Sequence, residues 1–227
     1  MHQPISGFKP EMVRGIVFDL DGTLLNSLDD IANSMNSALA LNNYPVHSTE
    51  AYMGFIGEGI RQLVMAAMPT TSSYSEVDTV LADMEKLYGT QWKEHCREYE
   101  GTTAMLNALQ ADGYPMAVLS NKPHNLTVLC TEYFFPTVDW VTIEGQMDSR
   151  PRKPDPFMLL QISQQMGLPP QQMLMVGDSH IDAFTARAAD MPIASCYWGF
   201  TPALELDKLR PNLKLNQPAD LVDALVL

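Results

Sequence analysis

The stretch VRGIVFDLDGTLLNS, Val13 to Ser27, decides how this chain is read. Val13, Ile16, Val17 and Phe18 make a short β-branched and aromatic run that stops at Asp19-Leu20-Asp21-Gly22-Thr23. A strand buried on both faces of a parallel sheet and ended by a turn has this pattern. In open α/β sheets ligands bind in the crevice beyond the carboxyl ends of the strands, so two acids and a glycine at that place point to chemistry. A calcium loop is the competing reading. It fails because an EF-hand loop counted from Asp19 needs glycine at its sixth position, which here is Leu24.

Downstream of this stretch the periodicity is helical. Ser27 with Asp30 three residues on has the form of an N-cap and its acidic partner, and Leu28, Ile31, Met35 and Leu39 extend a helix to about Leu41. A short helix from Ser48 or Thr49 leads into the glycine-dense turn Gly54 to Gly59. Two further helices follow: one bears Ile60, Leu63, Val64 and Ala67, and the next, capped by Ser75, bears Val77, Leu81, Met84 and Tyr88. From Asn26 to Arg97 no strand pattern occurs. After that, apolar runs at Pro115–Leu119, Val138–Ile143, Met173–Val176, Ile193–Tyr197 and near Leu213 alternate with helices of about a dozen residues. The expected fold is therefore α/β: a doubly wound parallel sheet core, residues 1–25 and 98–227, with an inserted helical cap domain, residues 26–97.

Bulk properties narrow the function. Hydrophobic residues at 46% and charged ones at 18% place the chain among ordinary globular proteins. A net charge of -13 argues against nucleic acid or an anionic membrane as partner and requires any anionic substrate to meet local cations. The three cysteines (Cys96, Cys130, Cys196) lack metal-ligand spacing and read as free buried thiols. The stretch MHQPISGFKP has no apolar core of signal-peptide length, so a cytoplasmic location is the expectation.

Several predicted strands end in polar residues that the topology would gather in one crevice: Asp19 and Asp21, then Ser120 and Asn121, then Asp178. Lys153 stands at a helix start, and Asp182 lies one turn beyond Asp178. Two like charges near 4 Å repel by roughly 4 kcal/mol at an effective dielectric of 20, so such a cluster calls for a cation. Oxygen ligands without histidine or thiolate suit Mg²⁺, which shares its shell with phosphate. Lys153 and the Ser120 hydroxyl could then hold a phosphoryl group, one carboxylate could attack it, and a second could move protons.

FDLDGTLLNS, VLSNK, RKPDP and GDSHID resemble, in order, the four motifs of the haloacid dehalogenase-like hydrolases. The resemblance implies that Asp19 is a nucleophile and a Mg²⁺ ligand, and that Asp21 is an acid/base whose backbone carbonyl also serves the metal. It further implies that Asp178 and Asp182 complete the metal site, and that Ser120 and Lys153 bind the transferring phosphoryl group. The second acid of the first motif points to phosphoryl transfer rather than dehalogenation. GFIGEGIRQLV and EGTTAMLNALQADGYPMAVLSNKP are similar to phosphoglycolate phosphatases, which implies a small phosphorylated metabolite as substrate. Asn121, Lys122, Gly57 and Arg61 are the further candidates for binding it. Glu58 stands where that family tends to have asparagine, and facing an anionic substrate it would repel it. Asp190 replaces the usual glycine at a helix end where aspartate tolerates a left-handed backbone. A phosphomutase, or an enzyme acting on sugar phosphates or pyrophosphate, is the alternative expectation.

Overall fold

The computed structural model describes residues 7–226. Residues 1–6 and 227, which end the two expected core segments and hold most of the stretch read for a targeting signal, lie outside it. Strand β1 (Gly15–Phe18) runs into a tight turn and the two-residue strand β2 (Leu25–Asn26). Helices α1 (Leu28–Leu41), α2 (Ile60–Ala67) and α3 (Tyr74–Gln91) follow, with a 3-10 turn at Thr49–Gly54, and the short β3 (Arg97–Glu98) closes this unit. The rest alternates: α4 (Thr102–Ala111), β4 (Met116–Pro123), α5 (His124–Phe134), β5 (Trp140–Gln146), α6 (Phe157–Met166), β6 (Met173–Gly177), α7 (His180–Ala188), β7 (Ile193–Cys196), α8 (Ala203–Leu209), β8 (Leu213–Leu215) and α9 (Ala219–Leu225).

Six strands form one sheet in the order β5-β4-β1-β6-β7-β8, every neighbouring pair parallel. The chain leaves β1 toward β4 and β5, then crosses to the other side for β6, β7 and β8. The order reverses at β1, so the crevice of a doubly wound sheet opens at its carboxyl end, where Asp19 and Asp21 lie. Successive β1 side chains point to opposite faces: Ile16 and Phe18 join one apolar cluster with Leu106, Leu126 and Leu221, and Val17 joins the other with Leu159, Ile162 and Ala183. Helices therefore cover both faces. Among the described residues no helix is long and apolar enough to cross a membrane.

The helical segment packs on the first of these clusters, with Met35, Leu39, Leu63, Val77 and Met84 contributing to it. It departs and returns through an antiparallel pair of strands, Leu25 opposite Glu98 and Asn26 opposite Arg97. Two local expectations are corrected. Ser27 occupies the N-cap position of α1 without a side-chain cap, because its hydroxyl donates to Asp21 Oδ1 at 2.6 Å. Asp30 instead accepts the backbone N–H groups of His95 and Cys96 at 2.8 Å, tying the returning chain to the departing one. The third helix is capped by Ser73, not Ser75: Ser73 and Glu76 form a reciprocal capping box that satisfies two orphan backbone donors. The three cysteines are free and buried, and Asp190 has the left-handed φ of 57° expected for it.

Candidate active site

The site is built on the end of β1. Asp19 Oδ1 accepts the backbone N–H of Leu20 at 2.7 Å and stands 2.9 Å from Lys153 Nζ. That ammonium donates to Asp182 Oδ1 at 2.6 Å. Asp182 is the third residue of α7, and its Oδ2 accepts from the hydroxyl and backbone N–H of Ser179 in a capping box. One carboxylate thus starts the helix with one oxygen and positions Lys153 with the other. Asp178 follows β6; its Oδ1 accepts from Thr23 at 3.0 Å and its Oδ2 from the Phe200 backbone N–H at 2.8 Å.

Two glycines make room for Asp178. A Cβ on Gly22, whose φ is +84°, or on Gly199 would overlap the Asp178 side chain. Only glycine supplies both that backbone conformation at position 22 and that close approach.

Asp19, Asp178 and Asp182 are buried, and each offers an oxygen within 4.8 Å of the others. Burial, reinforced by the neighbouring carboxylate of Asp182, pushes Asp19 up to about 7 despite the opposing pull of Lys153. Burial, then Asp182 and Asp19, pushes Asp178 up to about 8. One lysine does not balance three buried carboxylates, and the donor set is all oxygen, so these residues fit a hard divalent cation. The Asp21 side chain lies outside this cluster. Its Oδ1 accepts from Lys122 Nζ at 2.9 Å and from Ser27, and its Oδ2 lies 3.1 Å from the same ammonium.

Above the acids is a cavity of ≈ 60 Å³, room for a few water molecules, lined by Asp19, Asp21, Ser120, Asn121 and Lys122 below and by Gly57, Tyr88 and apolar side chains of the helical segment above. The structure brings together every core residue singled out from the motifs. Asn121 Nδ2 donates to the carbonyls of Gly57 and of Lys153, both at 2.9 Å, so it ties the turn to the Lys153 loop. Gly57 lines the cavity by its backbone. Arg61 does not reach it: α2 turns Leu63 and Val64 inward, and Arg61, on the outer face, pairs with Asp78 at 2.5 Å in solvent. Glu58 is likewise outside the lining, 3.7 Å from Arg152.

Sequence reasoning did not single out Tyr88 for the site. It appeared only as one of several apolar positions on a helix, and its helical spacing alone carried no other signal.

Residues 16–196 match the model of the haloacid dehalogenase-like hydrolases, and the chain belongs to that family. It is similar, at 32% identity over 90% of this chain and 94% of the other, to a phosphoglycolate phosphatase of Thiobacillus denitrificans. It is 29% identical, over 96% of this chain and 95% of the other, to the phosphoglycolate phosphatase of Escherichia coli. Among solved structures, a predicted phosphoglycolate phosphatase from Haemophilus somnus superposes with a TM-score of 0.87 at 30% identity, covering 93% of this chain and 97% of the other.

Proposed function

We propose that this protein is a cytoplasmic, Mg²⁺-dependent phosphatase acting on a small phosphate monoester of the phosphoglycolate kind through an aspartyl-phosphate on Asp19. The observation that carries the reading is the buried set Asp19, Lys153, Asp182 and Asp178 beneath a small cavity that Asp21 also lines. Residues 26–97 serve as its cap domain, which closes to exclude bulk water and opens to release product. The full-length similarity to phosphoglycolate phosphatases supports the substrate class, and the three buried free thiols fit a reducing compartment.

Asp19, Asp178 and the backbone carbonyl of Asp21, supported by Asp182, would hold Mg²⁺, which when bound neutralises charge on the phosphoryl group. The backbone N–H of Leu20 and the Lys153 ammonium both engage Asp19 Oδ1, which leaves Oδ2 as the attacking atom. As the Asp19–phosphorus bond forms and the bond to the leaving oxygen breaks, Asp21 gives that oxygen its proton. In the second half Asp21 takes a proton from water, the resulting hydroxide attacks phosphorus, and Asp19 leaves as a carboxylate with inorganic phosphate released. Ser120 and Lys153 hold the phosphoryl oxygens. Uncatalysed hydrolysis of phosphate monoesters is among the slowest of biological reactions, so this positioning and charge balance must supply most of a very large barrier reduction.

The test is phosphate release from an aryl phosphate and from phosphoglycolate, with Mg²⁺ and with chelator, by the native chain and by Asp19→Asn. Release that needs the cation and disappears in the variant supports the reading. Turnover retained by Asp19→Asn would overturn the mechanism.

A further inference from the structure

The turn after β7 grips Asp178 from outside the cavity, and the phosphoryl chemistry above gives it no task. Two of its residues reach the two oxygens of that carboxylate by different routes. The Phe200 backbone N–H donates directly to Asp178 Oδ2 at 2.8 Å. Trp198 acts through a neighbour: its indole Nε1–H donates to the Thr23 carbonyl at 3.0 Å, and the Thr23 hydroxyl donates to Asp178 Oδ1 at 3.0 Å. Between them Gly199 passes so close that a Cβ there would overlap both the Asp178 side chain and the carbonyl of Gly22. The indole nitrogen is a donor only, so its bond to Thr23 has a single sense. On its other side the Trp198 ring meets the ring of Tyr99, with centroids 6.3 Å apart and planes tilted by 58°. Tyr99 in turn donates its backbone N–H to the carbonyl of Leu24, the residue after Thr23. The turn that carries the Thr23 hydroxyl is therefore held by two aromatic residues from distant parts of the chain. An ionised carboxylate has about four acceptor sites, so these two donors leave room for a cation while they set where the free lone pairs point.

We infer that Trp198 is a positioning residue for the cation site: through Thr23 it orients Asp178, and so sets the affinity for Mg²⁺, without touching cation or substrate. The inference rests on the Mg²⁺ reading above and goes beyond it, to a residue outside the lining of the cavity. Partners of this kind, one bond removed from a ligand, fix its geometry and are costly to lose. Without the indole bond the Thr23 turn relaxes, its hydroxyl leaves Oδ1, and Asp178 spends part of its time turned away from Asp19 and Asp182. Phe200 keeps the other oxygen, so the loss is partial. The same linkage makes the surroundings of the indole depend on what Asp178 holds, and its emission changes when the cation binds.

The experiment titrates the chain with Mg²⁺ alone in a calorimeter and measures KM for an aryl phosphate separately, at saturating Mg²⁺. Trp198→Phe keeps a ring against Tyr99 and removes the N–H. It should weaken Mg²⁺ binding by about 10-fold and leave KM unchanged. Thr23→Val, which removes the hydroxyl at nearly constant volume, should weaken binding at least as much. The double variant should bind no more weakly than Thr23→Val, because both substitutions break one chain of bonds. Thermal melts in chelator establish that each variant folds. If Trp198→Phe does not, tryptophan emission carries the test: Mg²⁺ should change it in the native chain, and the change should shrink in Thr23→Val even at saturation. Native Mg²⁺ affinity in a folded Trp198→Phe would overturn the inference. So would a double variant that adds the full loss of Trp198→Phe to that of Thr23→Val, since the indole would then act by another route. An emission change of native size in Thr23→Val would overturn it as well. No Mg²⁺ binding by the native chain would instead defeat the cation reading itself.

Discussion

The floor and the roof of the cavity are built by different physics. In the floor each acid is held by two or more bonds from separate elements: Asp182 by Lys153 and Ser179, Asp178 by Thr23 and Phe200, Asp19 by Leu20 and Lys153. The roof is apolar packing, joined to the floor around the cavity by single polar contacts: Asn121 to Gly57, Lys122 to Tyr88 and Arg152 to Glu58. A rigid floor keeps reacting groups in place with no reorganisation during the reaction. A roof held by a few exchangeable bonds can open. On the proposed reading, chemistry and selectivity fall to parts with different freedom to move.

The harshest way to break this comparison is at the floor. Asp19→Asn should lower turnover of an aryl phosphate by about 10⁴-fold or more while the circular dichroism spectrum stays native, since the substitution removes the proposed nucleophile and little volume. Lys153→Met should be the most damaging to the fold. It leaves Asp19 and Asp182 buried without their shared cation, and urea unfolding should show a loss of about 3–5 kcal/mol.

Cation and pH come next. Asp19 and Asp178 have pKa values raised to about 7 and about 8 from the ordinary 3.8. An acid whose folded pKa is raised contributes stability that is fully present below the unfolded value and lost as pH rises through the folded one. Chelated protein should therefore lose about 1–3 kcal/mol between pH 5 and pH 9, and Mg²⁺ should raise the melting temperature more at pH 9 than at pH 5. Equal stabilisation by Mg²⁺ at both pH values would separate the cation from these acids. The roof should respond least: Glu58→Gln breaks one half-exposed ion pair to Arg152 and should change stability by less than about 1 kcal/mol in the same urea assay.

Much of the floor was legible in the sequence because its residues sit at strand ends. The strand pattern around Ile16–Phe18, Met116–Leu119 and Met173–Gly177 fixes where Asp19, Ser120 and Asp178 lie along the chain, and a doubly wound sheet brings strand ends together. The helical segment between β1 and β4 was legible for the same reason of periodicity.

The roof was not. Which side of α2 faces inward depends on where the helix docks, so Arg61, next to a promising turn, ended in solvent beside Asp78, and Glu58 turned to Arg152. Ser27 and Asp30 had the spacing of a cap, but Asp21 and the backbone of His95 and Cys96, distant in sequence, took their hydrogen-bonding groups. The sequence by itself determined the order of the main core strands, the helical insertion, the motif acids and the family, but showed neither the short β2–β3 pair nor α8. Only the tertiary structure decided that Tyr88 meets Lys122 over Asp21, because a hydrogen bond between residues on separate elements follows from how the helical segment lies on the sheet and leaves no local pattern in either.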